Sequence, residues 1–386
     1  MRVLVNPLAS KTGGGTTYLE NFLQYIQEKD TGIEFTILLS SVYHRNFIDQ
    51  DYTRFKKWIV RMPRPAILRI AWEQFVLPIL LLRSKYDVIF NLSDFTPIIM
   101  RKKDVVLVRN TNIYFDDFSG IQAHSFQRLK TYAQKILANL SILKAKWRIF
   151  PSLSMYELVN NSIHGKINRN YSIIHYGVSR DLFNESIIKE GKYRERCERY
   201  LLYVSNFAEH KNHKRLIEAF RMVKKRKEKI KLILIGDIPK AKMIKKRLIN
   251  RLEKRWSVAG RMDSEEGIEF LGHIDKSRLP EFYSRAEIFV FPSIRESFGH
   301  PIVEAMSCGV PILISNLSYA HEICGDAAVY FDPFNPKDIA DKIIKVLEND
   351  GLKADLRRKS IERAKRFSWE KCFEETINVL KRLADE

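Results

Sequence analysis

The strongest constraint on this chain is a rhythm: short apolar runs of strand length alternate with amphipathic stretches of helical period, in two separate series. In the first series Arg2–Val5, Glu34–Leu39, Asp87–Phe90, Val105–Val108, Arg148–Phe150 and Ser172–His175 read as strands, and Tyr18–Gln27 reads as a helix. The second series opens with a strand at Tyr200–Val204, followed by a helix over Lys214–Lys227 and a strand at Lys231–Ile235. A basic helix around Ala241–Trp256 comes next, then a strand at Ile268–Leu271 and a helix at Arg278–Arg285. Strands at Glu287–Phe291 and Pro311–Ser315 follow, then helices over Pro336–Asn349, Lys353–Phe367 and from Trp369 onward. Strand–helix alternation builds βαβ units and a mainly parallel sheet. Near Asp181–Arg196 the pattern gives way to polar, charged sequence. The expected organisation is therefore a first domain over 1–180, a linker over 181–199, a second domain over 200–366 and a closing helical segment over 367–386. Two such domains are expected to leave a cleft at the C-terminal ends of their strands, where open α/β sheets place ligands.

A length of 386 residues with 45% hydrophobic content is sufficient for two cores. Lysine and arginine number 66 against 46 aspartates and glutamates, a net charge of +20. That balance favours an acidic partner: nucleic acid, an anionic membrane surface or a phosphate-rich substrate. Four cysteines, Cys197, Cys308, Cys324 and Cys372, lie far apart with no metal-ligand spacing, which argues against a disulfide framework or a zinc site. The N-terminal residues do not read as a secretory signal. The most apolar segment, Val76–Leu82, is too short to cross a bilayer. The expectation is a cytoplasmic chain, either soluble or peripheral on the inner face of the membrane.

The run from Phe289 to Ile312, FVFPSIRESFGHPIVEAMSCGVPI, holds the densest chemistry. A buried strand ends at Pro292, a loop carries Glu296, and a helix starts near Pro301 and stops at Gly309 and Pro311. The positive end of that helix suits a phosphate, and Gly299 permits close backbone approach. Glu296 and Glu304 can accept hydrogen bonds from sugar hydroxyls. Taken singly, each glutamate also fits an ordinary loop or helix-start position. A second concentration is Tyr203–Asn212, YVSNFAEHKN, where Lys211 could neutralise a diphosphate leaving group or be a solvated helix-start lysine. A third is Lys11-Thr-Gly-Gly-Gly-Thr-Thr, a glycine loop entering a helix; alone it is weak evidence for an anion site.

The Phe289–Ile312 run resembles the donor signature of family 4 (group 1) retaining glycosyltransferases of the GT-B fold, two glutamates with seven residues between them. The likeness extends to Ile268-Glu-Phe-Leu-Gly-His-Ile, to Asn316–Pro333 and to Phe367-Ser-Trp-Glu. It implies an α/β architecture of two Rossmann-like, doubly wound domains facing across a cleft. It further implies a nucleoside diphosphate sugar as donor, with no obligatory metal or other cofactor. The same resemblance assigns Glu296 and Lys211 to catalysis, and Glu304 to the ribose. It places Asn206, His273, Ile274, Ser297, Phe298 and Gly299 at the donor, together with Gly14 and Gly15. Many members carry a histidine where this chain has Arg109-Asn110, which are read as acceptor-side or catalytic cleft residues. The arginine that members place shortly before the lysine is replaced by Ser205-Asn206.

Other features weigh less. His124 and His175 are spare base candidates. Asp49-Gln-Asp51 has the form of a metal-binding DxD, though solvated acids are the favoured reading. Arg54–Arg64 interleaves cations with Trp58, Ile59 and Val60. This suits an anionic membrane surface, a nucleic acid, or equally a helix packing its apolar side. The function expected is hexosyl transfer to a saccharide or lipid-linked saccharide acceptor in surface polysaccharide or glycoconjugate synthesis. A sugar-nucleotide epimerase of the same fold is the rival enzyme. A nucleic-acid-binding protein is the rival of another class; no nucleic-acid module is present and no nucleic-acid partner is expected.

Overall fold

The computed structural model describes residues 1–11, 13–62, 66–82, 84–98, 103–114, 125–184, 199–237 and 266–386. The expected basic helix around Ala241–Trp256, His124, Arg64 and most of the expected linker lie outside the described residues. The chain divides into two compact units. The first comprises Met1–Gly177 with Trp369–Glu386, and the second comprises Val178–Ser368.

The first unit holds a seven-stranded, wholly parallel sheet: β1 (Arg2–Asn6), β2 (Glu34–Ser40), β3 (Phe55–Val60), β4 (Val88–Asn91), β5 (Lys103–Leu107), β6 (Trp147–Phe150) and β7 (Tyr171–Ile173). Their order is β3-β2-β1-β4-β5-β6-β7. The second unit holds six parallel strands: β8 (Tyr200–Val204), β9 (Lys231–Ile235), β10 (Ile268–Gly272), β11 (Ile288–Phe291), β12 (Ile312–Ser315) and β13 (Ala328–Phe331). Their order is β10-β9-β8-β11-β12-β13. Both orders are doubly wound, and in each the direction of winding reverses beside the unit's first strand. Central strands such as β4, β8, β11 and β12 are buried at every residue, because helices cover both faces of a parallel sheet.

Two strands escaped the sequence reading. β3 falls in the stretch Arg54–Arg64, whose alternatives were a ligand surface or a packed helix. Its Trp58 and Val60 pack on the core while Lys56 is exposed, a pattern suited to an edge strand, where cations discourage further pairing. β13 is also an edge strand, and its run Ala-Val-Tyr-Phe lacks the alternation that marks a half-buried strand.

The first unit's core is strongly aromatic. Tyr18 and Phe22, on helix Gly14–Glu28, meet Phe90 of β4 and Trp369 and Phe373 of helix Trp369–Asp385, with ring centroids 5.3–6.3 Å apart. Full burial of such a ring contributes about 1.5–3 kcal/mol. Lys29 adds ion pairs to Glu370 and Glu374 of the same helix. No helix among the described residues is long and apolar enough to cross a membrane.

In the second unit, β9 is followed by Gly236 at φ 149°, where a Cβ would lie 2.0 Å from the Ser205 carbonyl oxygen. That close approach holds the loop after β8 against the end of β9. Gly236→Ala is expected to lower stability by about 1–3 kcal/mol, read as a reduced urea midpoint with an unchanged slope.

Candidate active site

In an open α/β sheet the loops on either side of the reversal point diverge and leave a crevice. β8 and β11 are those neighbours in the second unit. Lys211 closes the short turn Glu209–Lys211 that follows β8, and Glu296 sits in the loop that follows β11. Although 85 positions separate them in sequence, Lys211 Nζ lies 2.5 Å from Glu296 Oε1. Both side chains are mostly withdrawn from solvent, at 19% and 11% exposure.

A lattice of hydrogen bonds fixes the two loops. The Ile294 N–H donates to the His210 carbonyl at 2.8 Å, and the Ser293 hydroxyl donates to the same carbonyl at 3.3 Å. The Tyr203 hydroxyl donates to Lys211 O and the Tyr319 hydroxyl to Ser293 O, each at 2.7 Å. Asn212 takes a left-handed conformation, which asparagine tolerates. Its side-chain amide donates to Pro292 O at 3.1 Å and Pro333 O at 2.7 Å.

The loop of Glu296 runs directly into helix His300–Ser307. Gly299 caps that helix at φ 90°, a backbone conformation that favours glycine, and a Cβ there would also have to displace the tip of Ile302, whose Cδ1 would lie 2.6 Å away. The positive end of the helix dipole is therefore next to Glu296 in sequence. Glu304, inside the helix, is buried, and its Oε2 accepts from the Tyr283 hydroxyl at 3.0 Å. Burial pushes the Glu304 pKa up, opposed by the charge of Lys276 and by the Tyr283 hydrogen bond.

The other expected donor residues occupy the strand ends around this pair. Asn206 is exposed just beyond β8; His273 Nδ1, beyond β10, lies 3.4 Å from Asp237 Oδ1, beyond β9. Ile274 and Ser297 are half-buried. Phe298 differs: its ring is 1% exposed and packs edge-on against Phe367 at 5.6 Å, so the position can offer a ligand only backbone.

Two histidines here were missed by the sequence reading. His213 stacks on Phe207 with centroids 4.0 Å apart, and burial pushes its pKa down to about 3, aided by Lys211. Burial and Lys211 likewise bring His210 to about 4. Both folded values lie below the usual 6.5, so the unfolded chain binds more protons as the pH falls below 6.5. Stability from these two rings is fully present above that value and is lost on acidification toward pH 3–4. Each contributes a slope of at most about 1.4 kcal/mol per pH unit. His213→Phe is expected to flatten the loss of melting midpoint between pH 6.5 and 4.

The first unit gathers its own group of expected residues. Gly14 begins helix Gly14–Glu28. At Gly15 a Cβ would stand 1.9 Å from Arg109 Nη1, so the guanidinium lies flat against the start of that helix. The close approach read for Gly15 is thus taken up, at least on this side, by Arg109. Arg109 Nη2 also donates to Ser10 Oγ at 2.9 Å. Asn110 Oδ1 accepts from the Asn112 N–H at 3.2 Å.

Asp94, after β4, organises this group and was also missed. Its Oδ1 accepts the backbone N–H groups of Arg109 at 3.0 Å and Asn110 at 3.2 Å, with the Tyr114 hydroxyl at 3.5 Å. Burial raises its pKa, while those two N–H groups and the Arg109 charge act in the opposite sense. His44 accepts the Ser40 N–H at Nδ1 (3.0 Å), which leaves Nε2 to donate to Ser10 O at 3.1 Å. Burial lowers its pKa. Asp49 and Asp51 are exposed, and no cluster of three or more potential metal ligands occurs among the described residues.

Fold and site together define a two-domain α/β chain of the GT-B type. Solved structures similar over its whole length include sucrose-phosphate synthase from Thermosynechococcus elongatus, with a TM-score of 0.76 and 17% identity over 99% of both chains. WaaG, a glycosyltransferase involved in lipopolysaccharide biosynthesis, gives 0.70 at 14% identity over 98% of this chain and 99% of that one. HepE of Anabaena, in complex with UDP and glucose, gives 0.70 at 17% over 99% of this chain and 100% of that one.

Residues 185–367, within the second unit, match the family model of the glycosyl transferases, group 1. Among curated relatives, the O-antigen chain mannosyltransferase B of Escherichia coli is 33% identical over 199 residues, 50% of this chain and 48% of that protein. An uncharacterized glycosyltransferase of Methanocaldococcus jannaschii is 27% identical over 229 residues, 59% of this chain and 58% of that one. The chain spans about half the length of these curated relatives.

Proposed function

We propose that this chain is a retaining glycosyltransferase that moves a hexose-type sugar from a nucleoside diphosphate sugar to a saccharide or lipid-linked saccharide. The product is assigned to surface polysaccharide or glycoconjugate synthesis. The observation that carries the reading is the Lys211–Glu296 pair, converging at the reversal point of the second sheet beside a glycine-capped helix start. A diphosphate needs cations where its charge grows during departure, and Lys211 with the helix dipole supplies them. Glu296 accepts hydrogen bonds from the sugar, and Glu304 from the ribose. His273 and Ile274 flank the base, with Asn206 and the backbone of Ser297–Gly299 at the donor. Gly14 and Gly15 are assigned to donor binding, and Arg109 and Asn110 to the acceptor.

No carboxylate stands out as a nucleophile. The bond from the anomeric carbon to the phosphate oxygen breaks while the acceptor oxygen bonds to the same face. The acceptor's proton leaves on the departing phosphate. Support comes also from relatives: one is an O-antigen chain mannosyltransferase, and a neighbour of the same fold was crystallised with UDP-glucose. The stretch Arg54–Arg64 is assigned to an anionic membrane face, with the chain peripheral on the cytoplasmic side.

The test is thermal stabilisation by UDP, GDP, ADP and dTDP, with and without chelator, followed by transfer assays with the nucleotide sugar that binds. A ligand at 100 times its Kd adds about 2.7 kcal/mol, which raises the midpoint visibly. No shift with any nucleotide would remove the reading. Conversion of the donor to an epimer without an acceptor would turn it into the epimerase.

A further inference from the structure

The helical run 66–81 of the first unit is built inside out. Its inward side carries Arg69, Glu73 and Gln74, all buried, alongside Ile70, Leu77 and Leu81. Glu73 accepts from Asn6 Nδ2 at 3.1 Å and lies 3.4 Å from Arg69 Nη1. The Gln74 amide donates to Thr96 O and accepts from the Ile98 N–H, each at 3.0 Å. The outward side carries the large apolar residues: Phe75 is 63% exposed, Ile79 66% and Leu82 77%, with Leu68 and Leu80 about half exposed.

A helix on a water-facing surface places its apolar stripe inward and its charges outward. This one turns its charged pair inward beside Leu77 and Leu81 and leaves large apolar residues outward as well, and contiguous exposed apolar surface marks a site of interaction. A second stripe, Tyr132, Ile136 and Leu140, stands exposed at four-residue spacing on helix Ser125–Lys144. That helix and the run meet at Thr96, whose carbonyl accepts from both the Gln74 amide and the Ser141 hydroxyl.

Charge identifies the occupant. From residue 54 to 85 the sequence holds eight lysines and arginines and one acid, Glu73, which is buried beside Arg69. Lys57 is turned away, its Nζ bonded to the carbonyls of Ile48 and Gln50. Lys56 lies on the opposite face of β3, the face whose Trp58 and Val60 pack with Leu77 and Leu81 of the run. A second copy of a chain with net charge +20 would be repelled from such a surface, and the exposed side chains described in the run are all apolar, so they offer a protein partner no polar anchor.

We propose that residues 66–82 lie in the face of an anionic lipid bilayer, with Phe75, Ile79 and Leu82 among the acyl chains and the neighbouring cations at the headgroups. Such helices enter by roughly 5–10 Å. The inference stands apart from the sugar-transfer reading and adds to the basic stretch the element that inserts.

The test is flotation of the full chain with vesicles of phosphatidylcholine alone and of phosphatidylcholine with phosphatidylglycerol. The chain is expected to float with the anionic vesicles and far less with the neutral ones. The triple variant Phe75→Ser, Ile79→Ser, Leu82→Ser is expected to keep its melting midpoint and to lose about tenfold or more of its partitioning. Should that variant fold poorly, Phe75→Cys carrying an environment-sensitive fluorophore reads insertion directly, as a blue shift quenched by brominated lipid. No flotation of the parent chain, undiminished flotation of a folded triple variant, or an unshifted fluorophore overturns the proposal. So does a dimer of the parent chain that the triple variant splits, since that would make the face a self-interface.

Discussion

Glu296→Gln is expected to slow sugar transfer by roughly 10²–10³-fold or more while leaving the fold intact and nucleotide affinity no weaker than before. The carboxylate lies 2.5 Å from Lys211 Nζ and is held in a loop fixed by its backbone, so an amide of the same shape fits without rearrangement. It removes the negative charge that occupies the ammonium in the free enzyme. Lys211 then meets an incoming diphosphate with no partner to give up, which favours binding. On the proposed reading, what is lost is the anion facing the sugar as positive charge develops at its anomeric carbon, an interaction of the transition state. Lys211→Ala is the complement: it weakens nucleoside diphosphate binding and transfer together. Measured kcat and nucleotide Kd for both variants separate the two roles. Full activity in Glu296→Gln would remove Glu296 from the mechanism.

Asp94→Ala is expected to cost about 1–3 kcal/mol of stability. One carboxylate oxygen accepts the N–H groups of Arg109 and Asn110 in the interior of the first unit. Its removal takes the acceptor from two part-buried donors, of which the Asn110 N–H is close enough to solvent to find water, so the cost stays near that of one unsatisfied buried group, about 1–3 kcal/mol. Asp94→Asn keeps an acceptor oxygen in place and is expected to retain most of the stability. Because the same two hydrogen bonds hold the turn after β5, the alanine variant also frees Arg109 from its seat between Gly15 and Ser10. The urea midpoint should therefore fall in the order parent chain, Asn, Ala. Equal midpoints for Asn and Ala would show that charge, rather than the acceptor, is what Asp94 supplies.

The fold class was legible because parallel strands buried on both faces leave uninterrupted apolar runs, as at Tyr200–Val204 and Ile312–Ser315. Edge strands have no such signature, and β3 was hidden by the lysines that suit it to an edge. Local spacing showed that Glu296 precedes a helix start and that Lys211 follows a strand. It could not show that their side chains meet, since that contact depends on β8 and β11 becoming neighbours. Asp94 left no trace in the sequence because a buried acid serving two backbone N–H groups belongs to no motif; only the path of the backbone reveals it. The inverted helix was visible as the most apolar segment of the chain. The direction it faces, however, is set by Asn6, Thr96 and Ile98, distant residues that draw Glu73 and Gln74 inward.

Helix Trp369–Asp385 stacks its aromatic residues on Tyr18 and Phe22, and Lys103 Nζ reaches the Ala384 carbonyl at 3.0 Å. On the ribosome, therefore, the unit that emerges earliest cannot close its core until residue 385 has been made, whereas the unit synthesised after it has all its parts by residue 368. A chain truncated before Trp369 would hold all of the second unit and a first unit whose aromatic core is open. Chaperone binding and proteolysis during synthesis should accordingly fall on residues 1–177.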